Sequence, residues 1–517
     1  MNEKMTEQMG EKRRYTAVER LFAYLSLLAG YGFCRVFPAS VNSFAAVLYM
    51  LALFAVTAVL LKLNGARFGQ NGTAALVFAA LALLSMVLYG NDFLHFLSYV
   101  FTIGAYVYFV YAAQGGCMEE GFSPLAAADV VKAALARPFS RIGRMFPALT
   151  PDRSKNGAKI LLKLLLGVAL AVIPTTVVFL LLESDSRFAA VIHRMFSFDS
   201  LCIGDHIVSF ILGIPAAMYI FGVFISARED SAKGMNAESC RAFSARIKAV
   251  PEISAVAAVI PLLFLYTVYF VSQWDYYVSA FSGVLPESFS YAEYAREGFF
   301  ELCLVAFINF LVIVCIAAFM RRKARWGERI YKILSLVLCL YTLVLIATAV
   351  SKLCLYIEAY GLTQLRVYAA WFMALLTVLF LVIVAKQFVP RLRSVPLCLT
   401  VAVVMYLGLA LSGVDGLIAR YNVDRYENGT LYQVDVYELS RCGGVGVEQI
   451  LRYADLRADE EGISPEVFDS VEGYLKACDS SIDTRELTFK YGDPTFWEFD
   501  LADSRAARLL REYHLTE

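Results

Sequence analysis

Ionisable and aromatic side chains gather in two stretches, 291–302 and 355–366, that adjoin strongly apolar segments. In the first stretch, Glu293 and Glu301 are spaced to share one face of a helix. Unpaired charges at a membrane edge are costly, so these groups should either pair or face a wet cleft. We therefore predict that the two stretches meet on the outer side of the membrane in one polar cluster. Its candidate members are Tyr291, Glu293, Arg296, Glu301, Lys352, Glu358, Tyr360 and Arg366.

The polar cluster has two interpretations that the sequence leaves open. It is either a binding site open to the outside or a set of salt bridges that fixes helix packing. An enzyme would need Glu293 and Glu301 beside a metal or a nucleophile. The sequence also lacks the phosphate-loop, dinucleotide, zinc-protease and serine-hydrolase motifs. We therefore predict no catalytic residue, no cofactor and no metal site.

A second hypothesis is a transporter or lipid translocase whose cavity reaches Asn309. Helical rise places Asn309 about 12 Å deeper than Glu301, near the middle of the membrane. Interrupted helices often mark midplane substrate sites, and Gly213, Pro215 and Pro261 are candidate interruptions. No clear internal repeat supports this alternative.

The composition requires lipid around the elements that carry these residues. Of 517 residues, 59% are apolar and 18% are charged, with a mean hydropathy of +0.60. Soluble chains are nearer 45–50% apolar and about 25% charged. Eleven segments are apolar enough for a transmembrane helix of about 20 residues. They are 21–37, 43–61, 73–89, 93–113, 160–182, 207–227, 253–274, 299–320, 333–350, 367–385 and 395–413.

Basic residues concentrate in every second connecting loop. Roughly 23 Lys and Arg residues lie in one set of loops and about 5 in the other, which is a strong positive-inside bias. The sequence thus predicts an all-α integral membrane protein with its N-terminus inside and its C-terminus outside. The first segment ends near Arg35 and is also compatible with a signal peptide.

The segments outside the membrane complete the predicted organisation. Residues 1–20 form a cytoplasmic tail, 21–113 four spans, 114–159 a basic cytoplasmic loop, 160–413 seven spans and 414–517 a small exofacial domain. The basic loop holds an amphipathic helix, 124–137, that lies on anionic lipid or docks a cytoplasmic partner. Helically spaced apolar residues predict a mainly helical last domain.

Residues 414–517 carry 22 acidic and 11 basic side chains. This acidity disfavours nucleic acid as a partner, because phosphates would be repelled. Two cysteines of this region, Cys442 and Cys478, could form a disulfide in an oxidising compartment.

Two motifs give the chain a resemblance to a known family. They are YAEYARxGFFEL at 291–302 and LYIxAYGLTxLRVYAxWFM at 355–373, with a weaker echo in the ARYN run at 419–422. At these positions the sequence resembles the polytopic bacterial membrane proteins of the domain of unknown function 4153/4173 family, from about Lys155 to the C-terminus. The resemblance implies a multi-pass protein of the bacterial cytoplasmic membrane and brings no activity.

The sequence therefore favours a non-enzymatic protein of the cell envelope. Its expected partners are the lipid bilayer and an envelope ligand or another membrane protein.

Overall fold

The computed structural model contains helices, turns and one isolated β-bridge across the residues that it describes. Those residues are 15–36, 44–66, 68–117, 126–149, 167, 178, 203–232, 248–272, 299–321, 325–463, 471–482 and 501–512. The all-α class predicted from the sequence therefore holds for the described part of the chain.

The α-helices are numbered here in chain order. They are α1 (Ala17–Val36), α2 (Phe44–Leu63), α3 (Gln70–Leu88), α4 (Asp92–Ala113), α5 (Ala126–Val131), α6 (Arg137–Arg141), α7 (Met145–Leu149), α8 (Ile203–Ala232), α9 (Glu252–Ser272), α10 (Phe299–Phe319), α11 (Arg325–Tyr360), α12 (Gln364–Phe388), α13 (Ser394–Leu411), α14 (Val414–Glu427), α15 (Val436–Ser440), α16 (Gly443–Glu461), α17 (Val471–Cys478) and α18 (Leu501–Glu512). A π-helical turn, Lys132–Ala136, and a 3-10 turn, Ile142–Arg144, connect α5, α6 and α7.

Nine of the described helices are long and apolar enough to cross a membrane. They are α2, α3, α4, α8, α9, α10, α11, α12 and α13, and each coincides with a predicted span. The first predicted span is helical as α1, which carries Glu19, Arg20 and Arg35 and is not one of the nine. The predicted span 160–182 lies outside the described residues except at positions 167 and 178. The total of eleven spans stays a prediction.

Helix α11 differs in length from its predicted span, 333–350. It has 36 residues, so it is about 54 Å long and exceeds a hydrocarbon core of about 30 Å. The polar residues from Lys352 to Tyr360 continue this helix instead of forming a loop. The Gly361–Thr363 turn then leads directly into α12.

The chain divides into two compact units. The first comprises Met1–Ala80, Tyr99–Gly121 and Ala126–Gly234, and the second comprises Leu81–Ser98, Phe122–Leu125 and Met235–Glu517.

Close packing of α1 on α8 organises the first unit. The rings of Phe22 and Phe224 stack with centroids 4.0 Å apart. Gly30 and Gly213 face each other so closely that a Cβ on Gly30 would lie 2.2 Å from the Gly213 carbonyl oxygen. Small residues allow this approach, which gives van der Waals contact between helices where lipid supplies no hydrophobic driving force.

In the second unit, the described part of the tail shares a hydrophobic core with the ends of membrane helices. Buried residues of α14, α16, α17 and α18 cluster with Leu94 of α4 and Leu409 of α13. Tyr368 and Trp371 of α12 pack against the same cluster. The apolar runs around Ile450, Tyr474 and Leu510 are therefore helical and buried, as predicted. A region of this size is marginal alone, and its core is completed by the spans.

The Gly30 contact predicts a specific loss of stability. Adding one methyl group in Gly30→Ala should lower the free energy of unfolding by about 1–3 kcal/mol, because neither backbone can move away cheaply. Gly104→Ala is the matched control, since a Cβ at Gly104 meets no heavy atom within 4 Å. The measurement is unfolding of the purified protein in detergent. Equal stabilities of the two variants would contradict the close approach of α1 and α8.

Candidate functional site

Three interhelical turns meet at one end of the second unit. They are the turn at Gly90–Asn91 between α3 and α4, the turn at Gly361–Thr363 between α11 and α12, and the turn at Ser412–Gly413 between α13 and α14. The topology predicted from the sequence would put all three turns on the outer side, and this orientation stays a prediction. The hydroxyl of Tyr89 donates to the carbonyl of Leu411 at 3.2 Å, which joins the first turn to the third.

A buried carboxylate joins all three turns. Asp415, only 6% exposed, accepts hydrogen bonds from the Asn91 side-chain amide at 2.8 and 2.7 Å and from the Gln364 amide at 2.8 Å. Gln364 also donates to the Arg441 carbonyl at 2.9 Å. The Tyr368 hydroxyl donates to Asn91 Oδ1 at 2.9 Å, which fixes the orientation of that amide.

Local sequence explains how each group reaches this network. Asn91 precedes α4, and its Oδ1 accepts the backbone N–H of Leu94 at 2.9 Å as a helix cap. Thr363 caps α12 by accepting the N–H of Arg366, which places Gln364 in the first turn. Gly413 has φ +62° and lets α14 turn away from α13. Burial disfavours the charged form of a carboxylate, and several N–H donors offset that cost.

A second contact fixes the α11–α12 turn to the tail. Asn422 of α14, 5% exposed, accepts the backbone N–H of Leu362 and donates to its carbonyl, both at 2.7 Å. Gly361 has φ +75°, and a Cβ there would overlap the Asn422 side chain. The ARYN run that ends at Asn422 thus meets the GLT segment of the longer motif.

Two arginine side chains cap the C-terminal end of α11. Arg366 donates to the carbonyls of Tyr360 at 3.1 Å and Gly361 at 2.5 Å and lies 3.9 Å above the Tyr356 ring. Arg425 donates to the carbonyls of Ile357 at 3.0 Å and Glu358 at 2.9 Å. Cations at a helix C-terminus satisfy its last carbonyls and complement its dipole.

The predicted polar cluster is brought together in part. Tyr291, Glu293 and Arg296 lie outside the described residues. Arg366 donates to the Tyr360 carbonyl, whereas the Glu358 carbonyl accepts a hydrogen bond from Arg425, which was not a predicted member. The Glu358 and Glu301 side chains are exposed, and Lys352 is 6% exposed. The meeting of the full cluster stays a prediction.

Asn309 belongs to a different, fully buried group inside the helix bundle. Its Oδ1 accepts the Tyr266 hydroxyl at 2.6 Å, and its Nδ2 donates to the Thr342 hydroxyl at 3.0 Å. Thr342 donates in turn to the Leu338 carbonyl at 2.6 Å. These contacts join α9, α10 and α11 and satisfy both ends of the amide within the protein.

A cavity of about 250 Å³ lies beside the Asp415 network. Gly413, Asp415, Leu417, Arg420 and Cys442 contribute to its wall. The Cys442 thiol is 1% exposed, and its burial and then the nearby Asp415 carboxylate raise its pKa well above the ordinary value. Cys442 is therefore a neutral thiol near pH 7, and both it and Cys478 are free and buried.

Sequence reasoning did not identify Asn91, Gln364 or Asp415 as members of a site. All three are polar residues next to the ends of predicted spans, where such residues usually face water. Asn91 and Asp415 are 324 positions apart, and a single sequence carries no signal of a pairing at that distance. The one available signal for Asp415 was its position two residues after Gly413, the glycine of an interhelical turn.

The comparisons with known proteins give one family. A family model described as Domain of unknown function (DUF4153) matches residues 51–453, well over half of the chain. The match includes Asn91, Gln364 and Asp415. The resemblance had been expected to run from about Lys155 to the C-terminus. The match instead begins at residue 51 and ends within α16, so the expected extent was wrong at both ends. Neither a curated protein nor a solved structure shows a significant match.

The Asp415 network predicts a pH-dependent defect in Asn91→Asp. This variant places two carboxyl groups at hydrogen-bond distance, so the folded state should hold a shared proton with a raised pKa. Stability should be about 2–4 kcal/mol below the wild type at pH 8, and the loss should shrink at pH 5. Unfolding at both pH values measures it.

Asn428→Asp is the control, because Asn428 is exposed and donates to the Asp424 carbonyl at the end of α14. Its stability should change by less than about 1 kcal/mol at either pH. Similar pH profiles for the two variants would contradict the buried carboxylate network.

Proposed function

This chain belongs to the DUF4153 family of unknown function, and from that premise we propose that it is a non-enzymatic multi-pass protein of the bacterial cytoplasmic membrane. Its outward-facing end binds or senses a component of the cell envelope. The tail and the three turns around Asp415 form the binding region.

The observation that carries this proposal is the cavity beside Asp415 at the junction of spans and tail. Asp415, Arg420 and Cys442 are among the residues that line it, and the predicted span alternation puts this end of the second unit outside. Three turns and the tail core hold this region in one arrangement. A preorganised cavity with a few polar groups is typical of a small-molecule site.

The contacts of Asn309 favour binding or sensing over the transporter alternative. A transport path requires polar groups that face water at mid-membrane depth. Asn309 is fully buried, and Tyr266 and Thr342 satisfy its amide. Helices α8 and α9 continue through Pro215 and Pro261 instead of breaking there.

The described part of the basic loop supports a contact with lipid on the inner side. Val131, Leu135 and Phe139 are exposed apolar residues on consecutive helical turns. Arg141 and Arg144 follow them in the chain. An apolar face next to cations is the pattern of a helix at the interface of an anionic membrane.

Tyr432→Cys tests the outward orientation, because Tyr432 is 98% exposed in the turn before α15. The background replaces by serine the two exposed cysteines of the described residues, Cys315 and Cys354, and also Cys202 and Cys240. In this background, a membrane-impermeant maleimide should label position 432 in intact spheroplasts. Arg391→Cys, in the exposed turn between α12 and α13, should react only after permeabilisation. The reverse pattern would place the site inside and overturn the proposal.

Photocrosslinking at position 432 distinguishes binding from transport. A photoreactive residue at 432 should form an adduct with an envelope component in spheroplasts. The absence of that adduct, together with solute uptake by liposomes that contain the purified protein, would favour the transporter.

A further inference from the structure

We propose that the cavity beside Gly413 binds the headgroup of an outer-leaflet phospholipid that carries a primary ammonium, with Arg420 on the phosphate and Asp415 facing the ammonium. This inference rests on the proposed function, because it names the ligand class of the same outward-facing site.

The place of the cavity in the fold points to lipid. Membrane helix α13 ends at Leu411, and α14 begins at Val414, so the cavity lies where a span leaves the hydrocarbon. Leu417 is 60% exposed and Tyr421 is 38% exposed, one turn apart on α14. Exposed aliphatic and tyrosine side chains at this depth are typical of the membrane interface. A lipid seated at Leu417 would present its headgroup to the cavity.

Arg420 supplies the group that recognises phosphate. Its side chain is exposed, and it has no hydrogen bond or ion pair with the residues that the structure describes. By contrast, Arg425 binds carbonyls and Arg452 binds the Asp424 carboxylate at 2.6 Å. A guanidinium can hold two phosphate oxygens at once, which a neutral side chain cannot do.

Asp415 supplies the selectivity for the headgroup. Asp415 and Arg420 both line the cavity, so residues of both charge signs border it. A primary ammonium brings three N–H donors to a carboxylate. A quaternary ammonium brings none, and a glycerol headgroup brings no positive charge. The cavity of about 250 Å³ is several times the ~30 Å³ share of a water molecule and can admit such a group.

The test is native mass spectrometry of the purified 517-residue chain titrated with lipids of identical acyl chains. Phosphatidylethanolamine should form more adduct than phosphatidylglycerol or phosphatidylcholine. Arg420→Gln should reduce the phosphatidylethanolamine adduct about five- to tenfold. Arg391→Gln is the matched control and should leave the adduct unchanged, because Arg391 is an exposed cation in the turn before α13, at the opposite end of that helix from the cavity.

Asp415→Asn keeps the size of the side chain and should reduce the preference for phosphatidylethanolamine over phosphatidylglycerol while some lipid still binds. A folding defect alone would reduce both lipids equally. Retention of the adduct within about twofold in Arg420→Gln would overturn the inference, as would displacement of the lipid by an equal concentration of soluble glycerophosphoethanolamine. The assay is independent of orientation in the cell, so its failure leaves the maleimide result standing and is distinguishable from failure of the proposed function.

Discussion

The arrangement of the tail on the ends of the spans depends on the cost of burying the Asp415 carboxylate. A carboxylate taken out of water must recover its lost hydration through hydrogen bonds. Asn91 and Gln364 provide three of them, from turns that lie 324 and 51 positions away in the chain. Those bonds can all form only when the three turns and the start of α14 are assembled. The network therefore specifies one placement of the tail on the spans.

Lipid as solvent explains the other regularities of the second unit. Side chains on the outside of the spans are apolar and exposed, whereas polar groups inside the bundle bind one another, as Tyr266, Asn309 and Thr342 do. Polar groups inside the bundle have no water as a hydrogen-bond partner, so they bond to groups on neighbouring helices and thereby join those helices. Exposed charged side chains, such as those of Glu358 and Arg420, lie where spans end. That distribution is the physical reason why we propose a binding region at a membrane border.

The sequence predicted the helices well and their long-range contacts poorly, for identifiable reasons. A run of about 20 apolar residues has few alternatives to a spanning helix, and nine predicted spans coincide with such helices in the described part of the chain. The 3.6-residue apolar period predicted helices in the tail, and its described residues contain α14 to α18. The extension of α11 to Tyr360 was missed, because polar residues after Lys352 look like a loop although the helix continues beyond the hydrocarbon. Gln364 occupies the position that the motif LTxLR leaves unspecified, and its role depends on a carboxylate 51 positions away in the chain.

The measurement that tests the central claim most directly is a pair of double-mutant cycles that combine Asp415→Ala with Asn91→Ala and with Gln364→Ala. Unfolding free energies in mixed micelles should show coupling of at least about 1 kcal/mol in each cycle, because each amide bonds the same carboxylate. Thr400→Ala should add to Asp415→Ala without coupling, since the Thr400 hydroxyl bonds Pro396 of its own helix. Additivity within about 0.5 kcal/mol in both test cycles would contradict the account.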